Sequence, residues 1–345
     1  MIRKKMAGAV LAAVVAASLM ISGCGADINP SATVATVGDV KISAGLANFW
    51  LRMQQANYDT NYKMYFGNDM WTSDSDGTGK TMGDTVKQSV MDGFKQLYVL
   101  DAHKADYNVE ITDDEMAKIK SVAKSFMEKN SATVTKGFAA TREEDVAEAL
   151  RLLTVESKVS AVIKSGADKN VSDEEAAQRT FTYARFNIKT KTDETGASVD
   201  MTEDEIKATR EDAAKVLEDI KAGGDFRTTA EDKKATVIEY SYGKNDDSMA
   251  KEVFEAADKL KEGEISDIIQ TDEFLYILRL EKEFNAEATA DKKQTIITQR
   301  ENDLFDSVTK PWLEATTLTI DEKEWAKFGF DRTMSLAAPS SSAAN

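Results

Sequence analysis

Met249-Ala-Lys-Glu-Val-Phe-Glu-Ala-Ala-Asp-Lys-Leu-Lys-Glu-Gly-Glu-Ile-Ser266 is the stretch on which the fold turns. It reads as a helix over Met249–Leu260, stopped by a turn at Lys261-Glu262-Gly263-Glu264. Downstream, Ile268-Ile269 and Phe274–Leu280 read as strands. Upstream, Thr236–Tyr242 is a strand, Phe226–Lys233 a short helix, and Met201–Ala222 a longer helix closed by Gly223-Gly224. Phe181–Lys189 alternates well enough for another strand. The order strand, helix, helix, strand, helix, strand, strand describes a compact α+β unit, assigned to residues 179–284.

The flanks have a different period. Val34–Ile42 alternates and turns at Gly38-Asp39, so it predicts a small hairpin. From Ser43 the spacing is helical, with Leu46, Phe49, Trp50 and Met53 on one face. Val86–Ala105 is a second amphipathic helix. Ser/Thr-x-x-Glu capping boxes at Thr112/Glu115, Thr141/Glu144, Ser172/Glu175 and Thr202/Glu205 predict helix starts near 113, 142, 173 and 203. Ala290–Leu313 is helical again. Trp50 and Trp71 lie before the α+β unit, Trp312 and Trp325 after it.

The chain has 345 residues, 60 Asp plus Glu against 44 Lys plus Arg, and a formal net charge of −16. That balance argues against a nucleic-acid partner, which needs a basic face. One Cys and one His exclude an internal disulfide, zinc sites built on two cysteines, and any mechanism needing two histidines. No cofactor is called for.

The single Cys sits in a telling place. Arg3, Lys4 and Lys5 precede an apolar run, Ala7–Gly23, that ends in Ile21-Ser22-Gly23-Cys24. A basic start, an apolar stretch and a small-residue exit read as a secretory signal over 1–23. The exit resembles the bacterial lipobox, which implies lipidation of Cys24 and a protein held on the extracytoplasmic face of the membrane. Residues 24–33 read as a tether and 333–345 as a disordered tail.

Other strings tempt a reading. Asp74-Ser-Asp-Gly-Thr-Gly-Lys-Thr81 lacks the strand and the first glycine of a phosphate loop. As a calcium loop, Asp74 and Asp76 fit, but Thr85 stands where a bidentate Glu belongs. His103 ends a helix without a nucleophile elbow to serve. The pairs Asp113-Asp114, Glu143-Glu144 and Glu174-Glu175 are helix first-turn acids.

Gly223-Gly224-Asp225-Phe226 and Ala230, the Met249–Ser266 run, and Ala184-Arg185 resemble the parvulin-type prolyl isomerase domain. The hairpin at Val34–Ile42, the helix after it, and the Ile-Thr-Asp-Asp-Glu and Val-Ser-Asp-Glu-Glu helix starts resemble the PrsA/SurA secretion foldases. The resemblance implies a mainly helical chaperone lobe, formed by residues 34–178 and 285–332, with the parvulin-like domain inserted. It brings Trp312 and Trp325 back to the N-terminal helices. It implies unfolded or nascent exported proteins as partners and leaves the oligomeric state open, a dimer included. The isomerase pocket falls on Phe186, Met249, Val253 and Tyr276. Phe186 and Tyr276 stand at the family's two histidine positions, and Glu239 lies near its Cys/Asp position. Phenylalanine offers no hydrogen bond to a twisting prolyl amide, so a weak or inactive isomerase is expected. An active isomerase and an adaptor for one folded partner are the alternatives. Client-binding candidates are Phe49, Trp50, Met53, Tyr58, Tyr62 and Phe66, along the first long helix.

Overall fold

The computed structural model describes residues 19–22, 28–74, 77–130, 138, 140–331 and 333–336. The first elements are strand β1 (Leu19–Ser22) and the hairpin β2 (Thr33–Val37) and β3 (Val40–Ser43), turning at Gly38, whose φ is 55°. Helix α1 (Ala44–Asn61) follows, its end run on by the short α2 (Lys63–Phe66). Ser43 caps α1: its Oγ accepts the Leu46 N–H at 3.1 Å and donates to Asp145 Oδ1 at 2.9 Å. Helices α3 (Met82–His103), α4 (Asp113–Lys129) and α5 (Glu143–Ser165) complete the N-terminal part. The Thr112/Glu115 box is present as read. At α5 the box lies one residue later, with the Arg142 N–H donating to Asp145 Oδ2 at 2.9 Å. The reason is that Thr141 is buried, its hydroxyl turned to the Gly45 carbonyl.

Next come α6 (Asp173–Ala176), β4 (Arg179–Asn187), the small hairpin β5 (Thr190–Thr192) and β6 (Ser198–Asp200), α7 (Glu203–Lys221), α8 (Phe226–Asp232), β7 (Thr236–Tyr242), α9 (Lys251–Ala257), β8 (Ile269–Gln270) and β9 (Phe274–Lys282). Helix α10 (Ala286–Ala315), β10 (Leu318–Ile320), α11 (Glu322–Trp325) and β11 (Thr333–Leu336) close the chain. The fold is α+β, as read.

The chain divides into two compact units, one of residues 1–167 with 301–345, the other of residues 168–300. In the first, β10 pairs with β2 and β2 with β3, so the last part of the chain completes a sheet begun by the first. Its core joins Phe49, Phe94, Phe126, Val146 and Leu150 to Trp325, Phe328 and Met334. Trp71 stacks on Phe330 at 4.1 Å and His103 on Trp312 at 4.0 Å. The expected return of the C-terminal tryptophans to the N-terminal helices is what the contacts show.

Three expected boundaries move. The segment expected as a tether is already held from Ile28, which packs against the core, and the Pro30 and Ala32 carbonyls accept the Gly45 and Ala44 N–H groups. The segment expected as a tail begins as β11, paired with β1, because Met334 is fully buried and its N–H donates to Asp59 Oδ2 at 2.8 Å. The inserted unit extends beyond 179–284: Thr289 Oγ1 accepts the Gln178 N–H, Asn285 donates to Thr180 Oγ1, and Arg300 pairs with Glu175 at 2.6 Å. Of the expected leader only Leu19–Ser22 falls within the described residues, as β1; Cys24 lies outside them.

The second unit is built on an antiparallel sheet in the order β7-β4-β9-β8. Because side chains alternate along each strand, the sheet has two distinct faces. Ala184, Phe186, Leu275 and Ile277 pack under α7 and α8, against Val216, Ile220 and Phe226. Gly223, at φ 100°, ends α7 and lets Gly224 N–H reach the Asp219 carbonyl at 2.9 Å, so the chain turns directly into α8. Phe181, Tyr183, Tyr276 and Leu278 form the other face, with Val253, Phe254 and Ala257 of α9 packed on part of it.

Candidate functional site

The ladder between β4 and β9 decides which side chains meet. Arg185 lies opposite Tyr276, and Tyr183 opposite Leu278. Across β7, Tyr183 faces Ile238 and Phe181 faces Tyr240. Directly opposed residues share a face, so Tyr183, Arg185, Ile238, Tyr240 and Tyr276 line one surface. Half-buried Met249 and buried Val253 join it from the start of α9. The rings are ordered edge to face: Tyr183 and Tyr276 at 5.7 Å, Phe274 and Tyr276 at 6.0 Å. Arg185 Cζ sits 4.5 Å above the Phe274 ring. Ile238 is 40% exposed, a large apolar residue left open on a strand.

Of the four pocket positions read from the sequence, the structure brings Met249, Val253 and Tyr276 together. It does not bring Phe186 to them. Phe186 opposes Leu275, and its ring is 4% exposed beneath α7 on the far side of the sheet. The correction is one of alternation: a shift of one residue along a strand reverses the face. Arg185, one residue earlier, occupies the open face. Glu239 pairs with Thr182 and so lies on the same side as Phe186, where it is exposed. Counting alternation outward from Tyr276 is the signal that identifies Arg185 and Tyr183.

The polar groups of the open face are donors. Tyr240 Oη donates to Asp246 Oδ2 at 3.1 Å and lies 2.6 Å from Ser248 Oγ; Tyr242 Oη donates to Asp258 Oδ1 at 2.8 Å. Burial pushes the Tyr183, Tyr240 and Tyr242 phenols up, so they stay protonated in the neutral range. Burial also pushes the Asp246 carboxyl up, but hydrogen bonds from Ser248 and Tyr240 outweigh it and hold the group below its usual range. The arrangement can hold an apolar or prolyl segment beside Ile238, Met249 and Phe274, with Arg185 as the donor toward it, the Tyr240 and Tyr242 hydroxyls being engaged by Asp246 and Asp258.

The client-binding candidates on the helical unit separate sharply. Phe49 is 3% exposed, wedged edge-on against Phe126 at 5.4 Å, so it is core. This corrects its reading as a contact residue: the first turns of α1 are covered by α4 and α5. Trp50, Met53 and Tyr58 are half-buried against that same core. Tyr62 and Phe66 are exposed, and with them Met64 at 81% and Tyr65 at 75%. Tyr62-Lys63-Met64-Tyr65-Phe66 is an apolar run that one short helix cannot bury on a single face; that contiguity was the signal for Met64 and Tyr65. Lys63 Nζ donates to Thr333 Oγ1 at 2.7 Å, fixing the run beside β11.

Elsewhere, His103 Nδ1 lies 2.8 Å from Asp106, with its ring stacked on Trp312. Asp74 accepts the Gly79 N–H at 2.8 Å, while Asp76 lies outside the described residues. Among the described residues no group of three or more acidic, His or Cys side chains could hold a metal ion, and no helix is long and apolar enough to cross a membrane.

Known proteins resemble parts of this chain. The foldase protein PrsA of Streptococcus agalactiae serotype Ia is 40% identical over 107 residues, which cover 28% of this chain and 32% of that protein. The match thus spans about a third of the relative's length. The PrsA of serotype V is 39% identical over the same length. Among solved structures, the foldase PrsA of Streptococcus pneumoniae aligns over 68% of this chain and 90% of its own, at 21% identity and a TM-score of 0.33. That of Lactococcus lactis aligns over 86% and 97%, at 17% and 0.32. Residues 188–282, which take in β7, β8, β9 and helices α7 to α9 but begin just after the central strand β4, match the rotamase family, the PPIC-type PPIASE domain.

Proposed function

We propose that the chain is a lipid-anchored extracytoplasmic foldase that binds unfolded exported polypeptides. In this reading the helical unit holds non-native chain and the inserted unit binds prolyl segments. The observation that carries it is the exposed run Tyr62–Phe66, where Met64 and Tyr65 are more than three-quarters and three-quarters exposed in turn. A soluble surface keeps such side chains open when they serve as a contact. The similarity to relatives named foldase and the rotamase-family match support the same reading. Cys24, by its lipobox-like setting, would carry the anchor, and the net charge of −16 would keep a complex with client soluble. The test is aggregation suppression of a chemically denatured protein. The triple change Met64→Ser, Tyr65→Ser, Phe66→Ser removes most protection while the melting temperature holds. Unchanged protection would overturn the reading. Cys24→Ala releases the protein from the membrane fraction.

A second reading, a working prolyl isomerase, is favoured by one observation. The expectation of a weak site rested on the replacement of both histidine positions, and Arg185, opposite Tyr276 in the ladder, brings N–H donors to the open face. A protease-coupled prolyl peptide assay measures it. Turnover lost in Tyr276→Phe and Arg185→Gln supports it; turnover indistinguishable from the uncatalysed rate ends it.

A further inference from the structure

We propose that Arg185 makes the open sheet face a receptor for extended peptide segments carrying a carboxylate side chain next to an apolar or prolyl residue. The inference rests on the reading of that face as a peptide-binding surface and names what it selects.

Arg185 is half-buried, and among the described residues no ion pair or hydrogen bond is made by its guanidinium. Other arginines of the chain are engaged. Arg151 holds Asp101 and Glu148, Arg142 holds Asp145, Arg279 holds Glu281, and Arg300 holds Glu175. The acids packed around the open face are committed elsewhere: Asp246 to Tyr240 and Ser248, Asp258 to Tyr242. A guanidinium carries its charge into any such setting. A partly desolvated cation without an acceptor is a standing cost, and an acceptor from outside relieves it.

The surroundings specify that acceptor. Phe274, 4.5 Å below Cζ, holds the guanidinium plane over a ring and limits its rotamers before any ligand arrives. Tyr183 and Tyr276 beside it are nearly buried rings, and the exposed Ile238 and half-buried Met249 are apolar. The face thus joins one unneutralised positive fork to an aromatic and aliphatic bed. A carboxylate fits the fork with two parallel hydrogen bonds. A peptide that presents a carboxylate and an apolar ring together satisfies both parts. A cationic peptide meets repulsion, and a purely apolar one leaves the guanidinium unpaired.

The experiment uses the full chain and three peptides identical except for Glu, Gln or Lys before one proline, titrated by fluorescence anisotropy at neutral pH. Wild type binds the Glu peptide about tenfold more tightly than the Gln peptide, and the Lys peptide most weakly. Arg185→Gln levels the three, Arg185→Lys retains part of the preference, and Arg185→Glu favours the Lys peptide. Thermal melts of each variant establish that the fold is retained. A wild type that binds all three equally overturns the inference and leaves the face as a peptide site. A preference that persists in Arg185→Gln overturns the assignment to Arg185. No binding of any peptide, with aggregation suppression intact, removes the peptide-site reading of the face and the inference together.

Discussion

The two faces of one sheet are made from the same strands yet do opposite things. On one, Phe186, Ile277 and Phe226 are sealed beneath two helices. On the other, α9 covers the end near Leu278 and leaves Arg185, Ile238 and Met249 partly open. The helical unit repeats the contrast along a single helix path, from sealed Phe49 to exposed Phe66. In both, residue type says little about use. Phenylalanine occurs in each setting, and what separates them is whether another element covers the residue.

Exchanging rings between the two settings would break this comparison. Phe186→Ala opens a cavity under α7 and should cost about 3–5 kcal/mol, whereas Tyr276→Phe on the open face should change stability by less than about 0.5 kcal/mol. Urea unfolding of both variants measures the difference, and equal costs would mean the faces are not distinct. Phe49→Ala should cost about 3–5 kcal/mol and Phe66→Ala less than about 0.5 kcal/mol, read in the same way. An intermediate case sharpens the boundary. Asp258→Ala leaves the Tyr242 hydroxyl, which is mostly buried, without its acceptor, at about 1–2 kcal/mol.

The smallest expected effect is with pH. Asp246 is held below its usual range by Ser248 and Tyr240, against the effect of burial. Its folded value lies below its unfolded one, so its contribution is complete above about pH 4 and is lost as pH falls through the depressed folded value. Acid titration followed by tyrosine fluorescence should show this step in wild type. Asp246→Asn should flatten it.

Much of this was legible in the sequence because periodicity and capping act locally. The strand Thr236–Tyr242 and the box at Thr112/Glu115 stand where they were read. Met249, Val253 and Tyr276 converge because a helix and a strand in fixed register bring them together. Phe186 was misplaced because resemblance aligns letters, while a strand sorts them by parity, and one residue of slip suffices. The β5–β6 hairpin went unread because residues 190–200 are mainly polar and show no buried face. Residues β10 and β11 were invisible for another reason: each is too short to carry a pattern, and their partners lie near the opposite end of the chain.

That long-range closure dictates an order of events. Leu318 pairs with Val37, and Met334 seals a core begun by α1, so the helical unit encloses the inserted one in sequence. A polypeptide released from the ribosome N-terminus first has all strands of the inserted sheet available by residue 282, while β2, paired with β3, still waits for β10. The inserted unit can mature early, as a finished module held between two halves of an unfinished one. The helical unit is completed only after it, once β10 has joined β2 and β11 has joined β1.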